Sequence, residues 1–514
     1  MQGSKDVVAD FLAAARATPE RPAIVDNGRE LSYGSVLQRA RELALQLGDG
    51  CGVVGVMASR SANTIIALLA VLLAGGAYCP IDPAFPDERQ KALVRRSGCT
   101  TVIATVSQSV AFPGLRVLGM RDLHGHPAPA RTDEPYASAP VTLDTPAYVL
   151  FTSGSTGEPK GVVTPRGAIG ASVDSLRALF EIQPSDRVLQ FASLNWDTCF
   201  EEIFPALTSG AALVIDRDAH SGSLPRLLRL IRRERVSVLD LPTAVWHELV
   251  YYLAEGHAAL PECLRLVVIG GEAARAPRLA DWCALDTARV RLVNTYGCTE
   301  TTLITHAIDL HGPRADSSGT RWAEANEVPI GRAMPHVVER LGDAGELLVG
   351  GPALAIGYLG NEQATEQRFR KLDFGAGPAR YFLTGDRVVR SATGELLHRG
   401  RLDGQIKVRG ILVNPGEVEA EIARYAGVAA VAVVGVTVAD HTTMIAYVVA
   451  RPGTDAAALS TNIAADLKAR VPAHLVPSQL TVVPELVHTP SGKVDRAASH
   501  RHHLSRKSGK EMNQ

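Results

Sequence analysis

From residue 147 onward, short apolar runs alternate with stretches of helical periodicity, and this alternation restricts the fold more than any other feature of the chain. Runs at 147–151, 187–192, 211–215, 236–241, 264–270 and 290–296 have the length and composition of strands. Helical patterns separate them, among them 224–235, LPRLLRLIRRER, with leucines at helical spacing. Its arginines read as the solvated face of an amphipathic helix. Alternating β and α units predict a parallel sheet covered by helices. Such sheets bind ligands beyond the carboxyl ends of their strands. Polar or glycine-rich clusters follow those ends here: after 151, after 192, and at 240–243, 270–272 and 294–302. One cleft could gather all five.

The first cluster is the most telling. The strand at 147–151 breaks into Thr152, Ser153, Gly154, Ser155, Thr156 and Gly157, followed by Pro159, Lys160 and Gly161. Glycines let backbone N–H groups approach an anion, hydroxyls add donors, and Lys160 adds positive charge. That is the chemistry of a phosphate cradle. The spacing is not Walker A, because Glu158 and Pro159 intervene and a glycine follows the lysine. A flexible Gly/Ser turn would share this composition.

With 514 residues the chain exceeds one ordinary core, so at least two domains are expected. A net charge of −1 gives no support for nucleic-acid or membrane-surface partners. The seven cysteines are scattered without a CxxC or a Cys/His cluster, which points to reduced thiols and a cytoplasmic setting. The N-terminus lacks signal-peptide character. The apolar run 64–78 is broken by glycines and short for a membrane span, so it reads as a core helix. Helices are expected over 6–16, 34–47, 61–74 and 86–97, with strands at 53–58 and 100–104 and a surface connection at 124–140. From about 328, short segments with Gly turns indicate a small β-rich subdomain. Near 401–404 a boundary introduces a compact α+β lobe with helices at 416–425 and 455–470 and strands at 429–436 and 443–450. The expected division is 1–401, 402–498, and a disordered tail 499–514 without apolar periodicity.

Ten motifs in order then identify a family. They are LSYGSVL (31–37), LLAGGAYCPID (72–82), YVLFTSGSTGEPKG (148–161), NWDTCFEEIF (195–204), NTYGCTETT (294–302), GELLVGGPALAIGYLGN (345–361), YFLTGDR (381–387), GRLDGQIKVRG (400–410), VPAHLVP (471–477) and SGKVDR (491–496). The chain resembles the adenylate-forming (ANL) superfamily, specifically the adenylation domains of nonribosomal peptide synthesis. Departures from the pattern are Trp196, Cys298 in place of a usual Pro, Ile356 in place of an Arg, VNPGEVE after the eighth motif, and Ser491 in place of an Asn. None removes an ionisable group assigned below.

The resemblance implies an α/β fold: a large N-terminal lobe with parallel, helix-covered sheets and a β-rich subdomain, and a small mobile α+β C-terminal lobe. It implies joining a carboxylate to the α-phosphate of ATP with release of pyrophosphate. Thr152 through Gly157 and Lys160 would hold the leaving phosphates. Glu300 would hold Mg²⁺ and Thr299 would touch the α-phosphate. Tyr296 would offer adenine an aromatic face and Asn294 a hydrogen-bonding edge, Asp386 would accept from the ribose hydroxyls, and Gly271, Thr295 and Arg401 would also bind ATP. Lys493 would bridge the substrate carboxylate and the α-phosphate, and Asp403 would be the hinge. Glu417 and Glu419 are given only a structural role.

By the same resemblance Asp197 pairs with the substrate's amino group, and Thr198, Glu201, Asp240, Val268, Gly270, Thr295, Leu303 and Ile304 line the side-chain pocket, with Gly270 leaving room for a long chain. Glu201 and Asp240 are two extra acids. An unpaired buried carboxylate is costly, so a cation is its natural partner. Opposite charges about 4 Å apart gain roughly 4 kcal/mol at an effective dielectric near 20, before desolvation. A basic amino acid is therefore expected, with β-lysine the nearest match and lysine, ornithine, arginine and capreomycidine the alternatives. A neighbouring protein arginine is the competing partner for these acids. The acceptor implied is the phosphopantetheine thiol of a separate carrier protein, since the chain ends eighteen residues after Arg496 without a carrier motif. The resemblance also admits an MbtH-like helper protein. A CoA ligase and a catalytically silent nucleotide- or amino-acid-binding module remain the rival readings.

Overall fold

The computed structural model describes residues 6–105, 111–120, 141–152, 159–315, 318–408, 411–438, 441–488 and 494–511. Ser153, Gly154, Ser155, Thr156, Gly157, Lys493 and the whole 124–140 connection lie outside the described residues. The chain divides into two compact units. The first holds Met1–Pro83, Gln90–Phe151 and Gly161–Leu402, and the second Ala84–Arg89, Thr152–Lys160 and Asp403–Gln514.

In the first unit, among the described residues, the largest sheet has nine strands. Arg291–Gly297, Leu266–Gly270, Val238–Pro242, Arg187–Leu189, Ala212–Ile215 and Pro22–Asp26 run parallel, each beside the next. Antiparallel strands close both edges: Ile304–His311 with Arg332–Ala333 on one side, and Arg29–Ser32 on the other. A seven-stranded sheet is built on parallel pairing of Val53–Met57 with Ala77–Ile81 and Thr101–Ala104. The third is antiparallel and contains Glu346–Gly350, Pro378–Arg390 and Leu396–Arg401. It is the β-rich portion anticipated from the Gly turns.

Both large sheets contribute to one apolar cluster. Val54, Val56 and Leu150 of one sheet join Leu213, Val238 and Val268 of the other, with Ile65–Leu69, Ile169 and Phe200 from helices. The helix Ala62–Leu73 is buried on nearly every side. That explains a run apolar all round yet too short for a membrane. Among the described residues no helix is long and apolar enough to cross one. By contrast, the helix Leu224–Arg233 buries only Leu227, Leu228, Leu230 and Ile231.

One expected strand is shorter than its apolar run. Arg187–Leu189 ends early because the N–H groups of Phe191 and Ala192 donate to Glu202 Oε1, each at 2.9 Å. A buried carboxylate on the next helix thus replaces the ladder.

In the second unit Val428–Val438 pairs antiparallel with His441–Ala450, which pairs parallel with Gln479–Val483. Helices Pro415–Ala423 and Ala456–Arg470 supply Val418, Ile422, Ile463 and Leu467 to its core. Glu419 accepts the Val433 N–H (2.9 Å) and two Arg496 guanidinium bonds (2.6 Å each). Arg496 starts a helix that runs to Glu511. The sequence led to a disordered tail there because this helix carries little apolar periodicity.

Candidate active site

Strand alternation decides which side chains meet. Val238 and Asp240, Leu266 and Val268, and Val293 and Thr295 each sit two apart, hence on one face of their strands. Val238, Leu266, Val268 and Val293 belong to the same apolar cluster as Phe200, Ile203 and Phe204 of the helix Thr198–Thr208. Asp240 therefore faces that helix. On the helix, Glu201 follows Asp197 by four residues and shares its face. Three acids converge: Asp197, Glu201 and Asp240 are 9%, 9% and 7% exposed. Thr198 opens the helix and is exposed, because one residue turns it off that face. It does not join the buried group.

Burial comes first among the causes that raise all three carboxyls. Asp197 is pushed up to about 6, helped by the charge of Glu300. Glu201 is raised well above the usual range by burial and by Asp240. Asp240 is also raised by burial, and Glu201 beside it partly offsets that rise. Asp240 Oδ2 has no hydrogen-bond partner. Among the described residues neither Glu201 nor Asp240 forms an ion pair with an Arg, Lys or His, so no such arginine competes for them here.

The rest of the lining is close-packed. Val268, Leu303 and Ile304 are buried. Gly270 does not open free space: a Cβ there would stand 2.5 Å from Thr295 Oγ1. The room goes instead to the Thr295 hydroxyl, which donates to the Ile269 carbonyl at 2.9 Å. Gly271 has φ +83°, and Thr243 Oγ1 donates to the Gly270 carbonyl at 2.9 Å, pinning this turn.

Asn294 and Tyr296 alternate to the opposite face of their strand from Thr295. Asn294 Nδ2 donates to the Pro329 carbonyl at 2.7 Å, while its buried Oδ1 has no partner. The Tyr296 hydroxyl donates to Asp386 Oδ2 at 2.6 Å. Asp386 and Arg401 are register partners on adjacent strands, and Arg401 Nη1 donates to Asp386 Oδ1 at 3.0 Å. His398 Nε2 lies 3.0 Å from the same oxygen. The structure thus joins Tyr296, Asp386 and Arg401 and adds His398. Only its position three residues before Arg401 hinted at that role.

Between these two faces runs the turn 297–304. Thr299–Thr301 makes one 3₁₀ turn, then Thr302 (φ +56°) and Leu303 (φ +67°) are left-handed. Non-glycine residues hold such angles only where their surroundings impose them. Ser172 Oγ donates to the Thr302 carbonyl at 2.7 Å. The Leu303 backbone and the Thr299 side chain lie beside Asp197 and pull its carboxyl down, against the effect of burial. Glu300 accepts the Tyr358 hydroxyl on Oε1 at 2.8 Å, and its carbonyl accepts the Ala355 N–H at 2.9 Å. The remaining Glu300 carboxylate oxygen suits a hard cation such as Mg²⁺. Tyr358 and Ser172 were not singled out from sequence, although Tyr358 lies within the GYLGN motif.

Thr152 ends the strand Pro146–Thr152 and Lys160 opens Lys160–Pro165. Asp403 Oδ1 accepts the Gln405 N–H at 3.3 Å.

Comparison with known proteins agrees with this architecture. Residues 11–359 match the AMP-binding enzyme family, and residues 417–493 match the AMP-binding enzyme C-terminal domain. The chain is 39% identical to the isonitrile lipopeptide synthase of Streptomyces coeruleorubidus, covering 93% of this chain and 32% of that one. It thus spans about a third of that relative's length. It is 35% identical to novobiocin biosynthesis protein H of Streptomyces niveus, over 94% of this chain and 80% of the other. It is 32% identical to syringomycin synthase SyrB1 of Pseudomonas syringae pv. syringae, over 95% and 80%. Among solved structures, PA1221, an NRPS protein containing adenylation and PCP domains, superposes with a TM-score of 0.79 at 26% identity, covering 97% of each chain. With matched family models over both its large and small domains, the chain belongs to the AMP-binding enzymes and is an adenylate-forming ligase of the adenylation-domain type.

Proposed function

We propose that this enzyme activates a basic amino acid, β-lysine first and lysine, ornithine or arginine next, and passes it to the phosphopantetheine thiol of a separate carrier protein. The observation that carries the substrate class is the buried Glu201–Asp240 pair, one helical turn beyond Asp197, with no basic side chain paired to it among the described residues. The names of the peptide-synthase relatives, and the PCP domain beside the adenylation domain in PA1221, support the carrier as acceptor.

In this reading Asp197 holds the substrate's amino group, and Glu201 and Asp240 hold its distal cation. Its carboxylate oxygen attacks the α-phosphorus of ATP, and the bond to the β-phosphate oxygen breaks as pyrophosphate leaves. Lys160 and the 152–157 loop receive the leaving phosphates, and Lys493 supports the carboxylate and the α-phosphate. Asn294 Oδ1 meets the nucleobase edge, and Asp386, held by Tyr296 and Arg401, takes the ribose. Mg²⁺ held at Glu300 would neutralise phosphate charge.

Amino-acid-dependent exchange of pyrophosphate into ATP tests the reading. At about pH 8, exchange is expected with β-lysine, lysine or ornithine at a higher kcat/KM than with their neutral analogues. No exchange with any basic amino acid, on folded protein with helper supplied, would overturn it. Thioester formation on added holo-carrier but not on CoA is the matching expectation for the acceptor.

Tyr296→Phe should raise the KM for ATP about five- to tenfold, since a hydrogen bond to a charged group is worth about 1.5–3 kcal/mol and part survives through Arg401. The KM for the amino acid should stay within about twofold, on the rule that separate sites act independently. Exchange assays with each substrate titrated in turn check this.

A further inference from the structure

Two carboxyl groups buried side by side without a cation cannot both ionise. Glu201 and Asp240 lie next to each other, both at least nine-tenths buried, and among the described residues no basic side chain pairs with either. The ligand-free protein therefore stores at least one proton on this pair. Asp240 also presents a buried oxygen, Oδ2, with no hydrogen-bond partner.

The charged groups around the pair are all acidic. From its own helix Asp197 and Glu202 act on Glu201, and Asp240 acts on it from the strand Val238–Pro242. Glu202 also acts with Asp240, but it is satisfied separately. It accepts the Phe191 and Ala192 N–H groups and the Gln190 amide, and the Arg60 guanidinium acts on it. The Thr295 hydroxyl, on the neighbouring strand, spends its proton on the Ile269 carbonyl. Glu300 acts on Asp197 and is not among the groups raising Glu201 or Asp240. Burial raises both carboxyls, and the charge of Asp240 raises Glu201 further, which keeps a proton on the pair.

We propose that the distal ammonium group of the substrate enters this pocket in exchange for the stored proton. The ammonium donates to Asp240 Oδ2 and to Glu201, the shared proton passes to solvent, and the pair becomes two carboxylates offset by the substrate's charge. This rests on the basic-substrate reading above and adds a pH law to it. A neutral side chain gains nothing from an ionised pair, so the preference for a cation grows as pH rises and flattens once the pair is ionised in the free protein. Below that point the pocket distinguishes lysine poorly from its uncharged analogue.

The test is a ratio. Pyrophosphate exchange is measured with L-lysine and L-norleucine, or ornithine and norvaline, from about pH 5.5 to 8.5, where the side-chain ammonium with its pKa near 10.4 stays charged. The ratio of their kcat/KM values cancels effects on ATP and on the shared α-amino and carboxyl groups. It is expected to rise up to about tenfold per pH unit, the signature of one displaced proton. Calorimetric titration with the basic amino acid in buffers of different ionisation enthalpy should show about one proton released on binding. Glu201→Gln puts an amide donor beside Asp240 in place of an exchangeable proton, so its ratio should be flat with pH. Glu201→Asp should restore the slope.

A pH-independent ratio in the unmodified enzyme, while basic amino acids still drive exchange, overturns the proton exchange alone. Absence of exchange with any basic amino acid instead overturns the substrate reading on which it rests. The primary readout needs no variant, so a misfolded Glu201→Gln protein leaves the test intact.

Discussion

Asp197→Asn is expected to lower kcat/KM for the amino acid by about two to four powers of ten, because losing one partner of a buried charge pair costs roughly 3–5 kcal/mol. The KM for ATP should change little, since Asp197 lies on the helix face that meets Asp240, away from Asn294 and Tyr296. The same change should raise thermal stability at neutral pH. Asp197 is buried and its carboxyl is raised from 3.8 to about 6. A group whose folded pKa lies above its unfolded value favours the fold fully below pH 3.8, and that contribution is lost as pH climbs to 6. Above pH 6 the ionised carboxylate opposes folding, and Asn removes that opposition. Asn also keeps the size of Asp197 and one oxygen beside the Leu303 backbone, so the turn at 302–303 survives. Activity should fall while the Tm rises, a combination that general misfolding does not produce. Exchange kinetics and thermal unfolding measured on one preparation decide it. A lower Tm, or equal damage to both substrate KM values, would sink the role given to Asp197.

Most of the architecture was legible because it follows from periodicity. The all-apolar pattern of Ala62–Leu73, the amphipathic Leu224–Arg233 and the strands with clusters at their carboxyl ends each reflect local sequence. What escaped depends on pairings between distant segments. Nothing near 187–192 announces that Glu202, ten residues later, takes the Phe191 and Ala192 amides out of the ladder. Nothing near Asp386 shows that Tyr296, ninety residues earlier, and His398 both reach its carboxylate. The two acids of the pocket could be named from sequence, yet whether an arginine neutralised them depended on packing. Gly270 illustrates the converse: a glycine suggests open room, but the neighbouring Thr295 hydroxyl stands where its side chain would be. The helix Arg496–Glu511 carries few apolar residues, so periodicity could not reveal it.

Gly297→Ala is expected to abolish most of the activity. A Cβ at 297 would lie 1.9 Å from the Leu303 carbonyl oxygen and 2.7 Å from its carbon, and these are backbone atoms with no rotamer to yield. Gly297 pairs with Ile304 where the ladder shifts register, so strand and turn cross at this point. The turn is already strained: two consecutive left-handed non-glycine residues cost of order 1–3 kcal/mol each. Ser172 holds the Thr302 carbonyl, and the Leu303 backbone lies beside Asp197. Admitting a methyl group means moving Leu303, and with it the backbone beside Asp197 and the short helix carrying Thr299 and Glu300. A displacement of about 1 Å in groups that position reactants costs about a hundredfold in rate. Pyrophosphate exchange should therefore fall at least about a hundredfold. Overpacking should add a destabilisation of about 1–3 kcal/mol, visible as a lower Tm. Gly119→Ala is the control, because nothing lies within 4 Å of its added Cβ and its φ is not positive. It should leave both measurements unchanged. Normal exchange in Gly297→Ala would mean that the turn tolerates a shift of Leu303, and the coupling of Asp197 to Thr299 and Glu300 through that turn would have to be abandoned.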